Sequence, residues 1–562
     1  MNIENSLTPL KRFSNFVKEE KNEIYAIYFY AVLNGLISLS LPLGIQAIFN
    51  FILGGRVSTS WIILVVIVAI GISIGGYLQI NQLFLTEKLQ QRIFTNASFG
   101  FAYRLPKLNT DHLANKSIPE MVNQFFDAVN LQKGMSKILM EFTTATIQVL
   151  FGLILLSLYH PFFILFGIIL IMILVMIFYF TSPRAMESAL KESTSKYKVA
   201  FWLEEIGRTM ATFKLAGNTN LPFIKVDKLL KTYITYRNQH FGVLVFQYKI
   251  LIAFKVLIVS SLLIVGSLLF INNEISLGQF VAAEIIIIMV VNSVEKLILS
   301  LETVYDTLTA FEKLGQILDL PMERQEGTEK SLKQEQKGLR FEIDHLSYKS
   351  PRLGFNILED ISFNLEPGEK IVLTGLSGSG KSTLLYLMAG LHHDYEGKIF
   401  VNGLPIEAID LSRFRSFIGD SFTEESIFHG TIRENITLNR AIEEDHLRKI
   451  IGIVGLDRFI YQLPDDLDTM LLPEGKGLSK STINSIIVAR CLSAQSKLLL
   501  LEGLFADMLP SIKNRVLEFI LNGPWSVVLI SDETEIIRSA PRVIELYKGK
   551  IKFDGPSEDY LK

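Results

Sequence analysis

The chain has 562 residues, of which 49% are hydrophobic and only 20% charged, with a mean hydropathy of +0.34. That balance excludes intrinsic disorder and a purely soluble enzyme, and part of the chain is expected in lipid. The formal charge of −2, from 55 basic and 57 acidic residues, offers no bulk electrostatic case for nucleic-acid binding, and a single cysteine, Cys491, can form neither an intramolecular disulfide nor a zinc site.

The long apolar runs lie between residues 24 and 300, whereas residues 320–562 have the composition of a globular domain. A helix crossing the hydrocarbon needs roughly 20 predominantly apolar residues, and six segments qualify: 24–47, 60–86, 138–159, 161–181, 242–271 and 276–300. The first follows a polar, charged stretch with no small-residue cleavage signal and reads as a retained span. Lys and Arg crowd the N-terminus, the loop containing Lys88 and Arg104, and the loop containing Arg184 and Arg237, while the other side carries only Arg56. By the positive-inside rule both termini are cytoplasmic. The two long inner connections read as helices that run past the bilayer and fold back, with short crossing segments near Asn109–Val122 and Glu204–Leu215. Ionisable residues within spans default to a functional reading. Of these, Lys249 and Glu295 are placed near cytoplasmic ends, Lys255 is expected to snorkel, and Glu284, nearer mid-span, is the substrate-pathway candidate.

In the globular part the strand-like run Lys370–Thr374 leads into Gly375, Leu376, Ser377, Gly378, Ser379, Gly380, Lys381, Ser382 and Thr383, and then into a helical stretch ending at Met388. This is the G-x-x-x-x-G-K-[ST] loop in its strand-to-helix setting. Its glycines let backbone N–H groups close around phosphate oxygens at a helix N-terminus. Lys381 supplies charge for the outer phosphates and Ser382 a hydroxyl for Mg²⁺.

Six spans followed by this loop resemble a half-transporter of the ATP-binding-cassette exporter family, over nearly the whole chain. The resemblance implies a six-helix all-α membrane domain over 1–320, a linker over 321–337, and a cytoplasmic α/β nucleotide-binding domain over 338–562. It also implies ATP and Mg²⁺ as ligands and a dimer in use. The opening strands around Leu346–Tyr348 and Ile357–Phe363 resemble the family's, with Tyr348 expected to stack on adenine; Gly430–Ile436 and Glu474–Gly475 resemble further family segments. Runs such as Leu41–Pro42–Leu43 and Leu277–Gly278–Gln279 are most similar to the peptide- and protein-exporting, type I secretion-like branch.

The chain departs from the family at the residues that split ATP. The family's LSGGQ is here Leu478–Ser479–Lys480–Ser481–Thr482, without either glycine; Ser479 keeps a hydroxyl for the nucleotide, and Ile483–Leu492 still reads as a helix. The apolar strand Leu498–Leu501 ends in Glu502–Gly503: Glu502 keeps a carboxylate for Mg²⁺, but Gly503 stands where the family has its general base. The glutamine that contacts Mg²⁺ is replaced by Thr423, with Glu424 beside it, and the switch histidine by Asp532, an acid expected near the γ-phosphate that it would repel. Loss of a base alone typically costs about 10²- to 10⁴-fold in rate.

The expectation is an ATP-binding exporter subunit of the inner membrane, hydrolysing weakly or with help from a partner and exporting a peptide or protein. The second half-transporter is an identical or a different chain, with a membrane-fusion adaptor and an outer-membrane channel as further partners. The alternative is a homodimeric scaffold in a secretion assembly that binds ATP without splitting it. A membrane-anchored P-loop kinase or GTPase is disfavoured, since neither a base-reading motif nor a kinase acceptor site is present and six spans would go unexplained.

Overall fold

A computed structural model describes residues 8–53, 59–113, 117–324, 326–328, 338–352, 354–422, 426–494, 496–505 and 507–562. Arg56, Thr423, Glu424 and residues 329–337 of the expected linker lie outside the described residues. The chain divides into two compact units, one formed by Met1–Lys107 with Lys116–Leu320, the other by Pro321–Lys562 together with the short segment Leu108–Asn115.

The first unit is all helix. After α1 (Pro9–Glu19) come α2 (Lys21–Ser38), α3 (Ser40–Leu53), α4 (Thr59–Arg104), α5 (Asp127–Lys137), α6 (Thr143–Ser157), α7 (Phe162–Arg208), α8 (Leu221–Ile271) and α9 (Leu277–Leu318). Among the described residues six helical runs are long and apolar enough to cross a membrane, and each covers one of the six expected segments to within two residues at its ends. The helices of 46, 47, 51 and 42 residues, α4, α7, α8 and α9, exceed any bilayer crossing, so the long basic connections are helical extensions. Short helices stand at their tips, Thr110–Leu113 and Ile118–Asn123 in one connection and Met210–Leu215 in the other. A π-helical turn, Ile138–Phe142, joins α5 to α6.

Helix α9 is the axis of this unit and packs against α1, α3, α5, α6, α7 and α8. It begins at a capping box, in which Ser276 Oγ accepts from Gln279 N–H at 3.2 Å and Gln279 Oε1 accepts from Ser276 N–H at 2.8 Å. Ala283, Ile286, Val290 and Val294 then face the buried cluster containing Val149, Leu156, Leu170 and Ile258. The approach of α6 is close, because a Cβ on Gly152 would stand 2.5 Å from Val290 Cγ2. Two sequence readings are refined here. Lys255, with its side chain 43% exposed, pairs with Glu295 at 3.1 Å, so each charge offsets part of the cost of the other within the apolar segments. Leu41–Pro42–Leu43 lies in α3, with Pro42 buried and both leucines exposed, and Leu277–Gly278–Gln279 forms the capped start of α9, where Gly278 lies against Asn50 and the Gln46 carbonyl.

The second unit is α/β. Its strands are β1 (Phe341–Lys349), β2 (Asn356–Leu365), β3 (Lys370–Thr374), β4 (Glu396–Val401), β5 (Leu404–Pro405), β6 (Ile418–Ser421), β7 (Gly430–Thr431), β8 (Met470–Leu471), β9 (Leu498–Leu501), β10 (Ser526–Ile530), β11 (Arg542–Tyr547) and β12 (Lys550–Pro556). One sheet has the order β2-β1-β4-β5, and the larger one β12-β11-β3-β10-β9-β6. In the larger sheet β11, β3, β10, β9 and β6 run parallel, with β12 antiparallel at the edge. Every residue of β9 is buried, the unbroken apolar pattern of a strand covered on both faces. Parallel strands bring their C-terminal ends to one edge, which is where an α/β sheet binds ligands. Thr374, Glu502 and Asp532, at or just beyond the ends of β3, β9 and β10, therefore meet although they are far apart in sequence.

Candidate nucleotide site

The loop after β3 is built on left-handed glycines: Gly375, Gly378 and Gly380 have φ of +133°, +80° and +100°. A Cβ at Gly375 would stand 2.2 Å from the Leu546 carbonyl oxygen, and one at Gly380 2.6 Å from Leu358 Cδ2, so at both positions the fold leaves room only for hydrogen. Gly380 caps helix α10 (Lys381–Met388), whose Leu384, Leu385, Leu387 and Met388 are buried. Leu376, Ser377 and Gly378 are exposed, and Lys381, Ser382 and Thr383 half-buried, so the expected phosphate-binding residues line one accessible turn. Lys381 Nζ donates to the carbonyls of Gly375 and, at 3.1 Å, Leu376, which parks the ammonium across its own loop.

Ser382 Oγ donates to Glu502 Oε1, and Glu502 N–H donates to the Ser421 carbonyl at 2.7 Å. The other carboxylate oxygen, Glu502 Oε2, is buried without a hydrogen-bond partner, as is Ser379 Oγ. A buried acceptor left unpaired is costly, and an anionic oxygen beside a Ser hydroxyl is the donor set of a hard divalent cation. These residues fit Mg²⁺ at Ser382 and Glu502. Next to them Gly503 has φ +65°, and a Cβ built on it would meet nothing within 4 Å. Space for a base exists, but no side chain occupies it.

Two further expected residues are engaged by their neighbours. Asp532 Oδ1 accepts from Thr374 Oγ1 at 2.7 Å and from Gly375 N–H at 3.2 Å, so the carboxylate is held at the root of the loop. Tyr348 is not an open platform, because it is 3% exposed and its ring stacks on His392 with centroids 4.8 Å apart. Along β1 the alternation that buries Leu346 buries Tyr348 as well, and burial, then the nearby Asp111 and Asp394, push its hydroxyl up to about 12. Stacking on adenine requires the ring to leave this place. Ser479 caps helix α11 (Lys480–Ser493), its Oγ accepting from Thr482 N–H at 3.1 Å, while Lys480 is exposed. Glu284 is half-buried on α9, without an ion pair or hydrogen bond among the described residues.

One network had no sequence signal. Behind Tyr348, His392 Nδ1 lies 3.2 Å from Asp111 Oδ1, and His393 N–H donates to Asp111 Oδ2 at 2.7 Å, across 281 and 282 positions of chain. Burial raises the Asp111 carboxyl, but the hydrogen bonds from His392 and the His393 N–H outweigh it and hold the group below its ordinary value. Glu323 is likewise lowered against the effect of burial by His393 and by Arg415, whose guanidinium grips it at 2.6 and 3.1 Å. Residues 108–113 are thus tied, through Asp111, to the ring that covers Tyr348.

Residues 358–503 match the ABC transporter family and residues 24–294 the ABC transporter transmembrane region. The ATP-dependent lipid A-core flippase of Legionella pneumophila (strain Lens) is 28% identical over 291 residues, which cover 51% of this chain and 49% of that protein. The Mycobactin import ATP-binding/permease protein IrtB of Mycobacterium tuberculosis (strain CDC 1551 / Oshkosh) is 27% identical over 225 residues, 40% of this chain and 39% of its own. The chain spans about half the length, or less, of the curated relatives it matches. In fold it is similar to a bacterial Atm1-family ABC exporter solved with ATP bound, with a TM-score of 0.84, 16% identity and 96% of each chain covered. The two matched segments together make up more than half of the chain, carry the six helices and the phosphate loop, and place it as a multi-pass membrane protein with an ATP-binding cytoplasmic domain: it belongs to the ABC transporter family, as a half-transporter of the exporter fold.

Proposed function

We propose that this chain is the ATP-binding subunit of a dimeric exporter in the inner membrane, and that its own Walker site holds MgATP but hydrolyses it poorly. The observation that carries this reading is the pair Glu502–Gly503. The carboxylate that would hold Mg²⁺ is in place against Ser382, and the next position, where the family keeps its base, has no side chain. Positioning and charge stabilisation survive in the loop glycines, Lys381 and Ser382, whereas polarisation of the attacking water does not. Asp532, held by Thr374 and Gly375, does not replace it.

The cargo is left at the level of export. Of the two runs that resemble the peptide- and protein-exporting branch, the one at the start of α9 is accounted for by capping and close packing, and the relatives named above concern a lipid A-core and mycobactin. A second half-transporter with its own base would raise turnover, and a homodimer that binds ATP without splitting it would act as a scaffold.

The test is ATP binding and ATPase activity of the full chain in lipid nanodiscs, alone and co-expressed with a candidate second half. Wild type should bind ATP, Lys381→Ala should lose most of that binding, and turnover should fall well below the ~1–10³ s⁻¹ typical of enzymes. Gly503→Glu should raise the rate, by less than the full 10²- to 10⁴-fold or so of a general base, because the signature glycines are still missing. Turnover by the lone wild type at ordinary enzyme rates, abolished by Lys381→Ala, would sink this reading.

A further inference from the structure

Between α5, α7, α8 and α9 lies a polar cavity of about 380 Å³. Its lining residues precede or follow the apolar segments of those helices, on the side where the basic loops lie. Three side-chain oxygens in its wall are buried without a hydrogen-bond partner: Asp127 Oδ2, Ser193 Oγ and Thr309 Oγ1. Their residues are 2%, 7% and 5% exposed, so bulk water does not satisfy them. Asp127 is held from its other side, Oδ1 accepting from Asn130 Nδ2 at 2.8 Å and lying 3.8 Å from Lys196 Nζ, with Tyr197 and Lys313 also close. The orphan oxygen is therefore fixed in place.

All three orphans accept hydrogen bonds, and one of them carries charge. An ammonium group, with three N–H donors and a positive charge, satisfies a carboxylate and two hydroxyl oxygens together and is small enough for a cavity of this volume. Elsewhere in the same wall Lys133 and Lys137 make no ion pair or hydrogen bond among the described residues, whereas Arg237 is engaged by Glu192 at 3.2 Å and Glu302 at 3.5 Å. Lys133 is exposed and Lys137 half-buried, so both ammonium groups are open to an anion at this rim. We propose that this cavity binds a small amphoteric molecule, its ammonium group seated on Asp127, Ser193 and Thr309 and its carboxylate against Lys133 and Lys137. The inference deepens the export reading, on which it rests for the site's role as a loading site; binding itself does not depend on it.

The full chain in nanodiscs is titrated calorimetrically with three probes: the dipeptide glycyl-glutamate, N-acetyl-glutamate, which lacks the ammonium, and putrescine, which lacks the acid. The dipeptide should bind saturably, and each one-sided probe should bind about tenfold or more weakly, one lost charged anchor each. Asp127→Asn should weaken dipeptide and putrescine and leave ATP affinity unchanged; Lys133→Ala with Lys137→Ala should weaken dipeptide and N-acetyl-glutamate. Thr309→Val, milder than a change at Asp127, should weaken the dipeptide several-fold if the first variant fails to fold. No saturable binding by any probe to a chain that binds ATP overturns the site and marks the cavity as filled by water only, as does dipeptide binding indifferent to all these variants. Saturable binding without ATP-dependent accumulation of the dipeptide in vesicles leaves the site standing and sinks the export reading for it.

Discussion

Gly375 and Gly378 belong to the same loop and both have positive φ, yet they should tolerate a methyl group very differently. At Gly378 an added Cβ meets nothing within 4 Å, so Gly378→Ala carries only backbone strain of about 1–2 kcal/mol. At Gly375 the Cβ would lie 2.2 Å from a backbone oxygen of β11, which cannot rotate away. Gly375→Ala should therefore cost well above the ~1–3 kcal/mol of backbone strain alone and abolish ATP binding, as thermal unfolding and ATP titration of the two variants would show side by side. Asp111 makes a pH prediction. Its carboxyl is lowered in the fold, so its stabilisation is complete above the ordinary carboxylate value near ~3.9 and is lost as pH falls through the lower folded value. Docking of residues 108–113 should be unchanged from neutral pH down to about 5 and loosen below about 4, read by hydrogen exchange quenched from each pH. Asp111→Asn should bring part of that loosening to neutral pH, at a cost of about 1–2 kcal/mol.

Among the elements, the two ends of α9 show how a long helix is held. Its start is fixed locally by Ser276 and Gln279, a signal carried in four consecutive residues. Its end is held by the far end of the chain. Arg12 of α1, 8% exposed, pairs with Glu312 and, at 2.8 Å, with Asp319, and its guanidinium lies over Gly315, where a Cβ would be 2.1 Å from Arg12 Nε. Arg12→Ala should lower stability by about 1–3 kcal/mol, less than a fully buried pair would cost because Asp319 is partly exposed. Gly315→Ala should act through the same clamp by expelling Arg12. The two losses should then combine to much less than their sum, a non-additivity that a double-mutant cycle on thermal unfolding would detect. Additive losses would show that Gly315→Ala does not act by expelling Arg12.

Over the whole molecule, the division into units does not follow the chain. Leu108–Asn115 belongs with Pro321–Lys562 although some 200 residues of helix separate them. Asn109 N–H donates to the Pro321 carbonyl at 3.2 Å, Thr110 Oγ1 to the Leu391 carbonyl, and Asp111 engages His392 and His393. A fragment of residues 321–562 alone lacks these partners and should unfold several degrees below the same unit in the full chain, given about 2–4 °C per kcal/mol for a domain of this size. Differential scanning calorimetry of fragment and full chain tests this, and equal melting would mean that the segment contributes no stability.

Much of the molecule was legible because its signals are local. Twenty-residue apolar runs report lipid, the strand–glycine loop–helix order reports a phosphate site, and Gly503 is a missing side chain in any fold. The helical extensions past the bilayer also followed from loop length and the lack of glycine and proline. What tertiary structure alone decided is which way the remaining side chains turn. Asp532 is an acid at the expected position, but only the parallel register of β3 and β10 brings Thr374 Oγ1 and Gly375 N–H within its reach. Tyr348 is an aromatic at the expected position, but only the packing of His392, tied to Asp111, covers it. The orphaned oxygens of Asp127, Ser193 and Thr309 come from three helices and share one wall. Periodicity and motif describe what a residue is within a few neighbours; its hydrogen-bond partner is set by contacts between elements far apart in the chain, which no local pattern encodes.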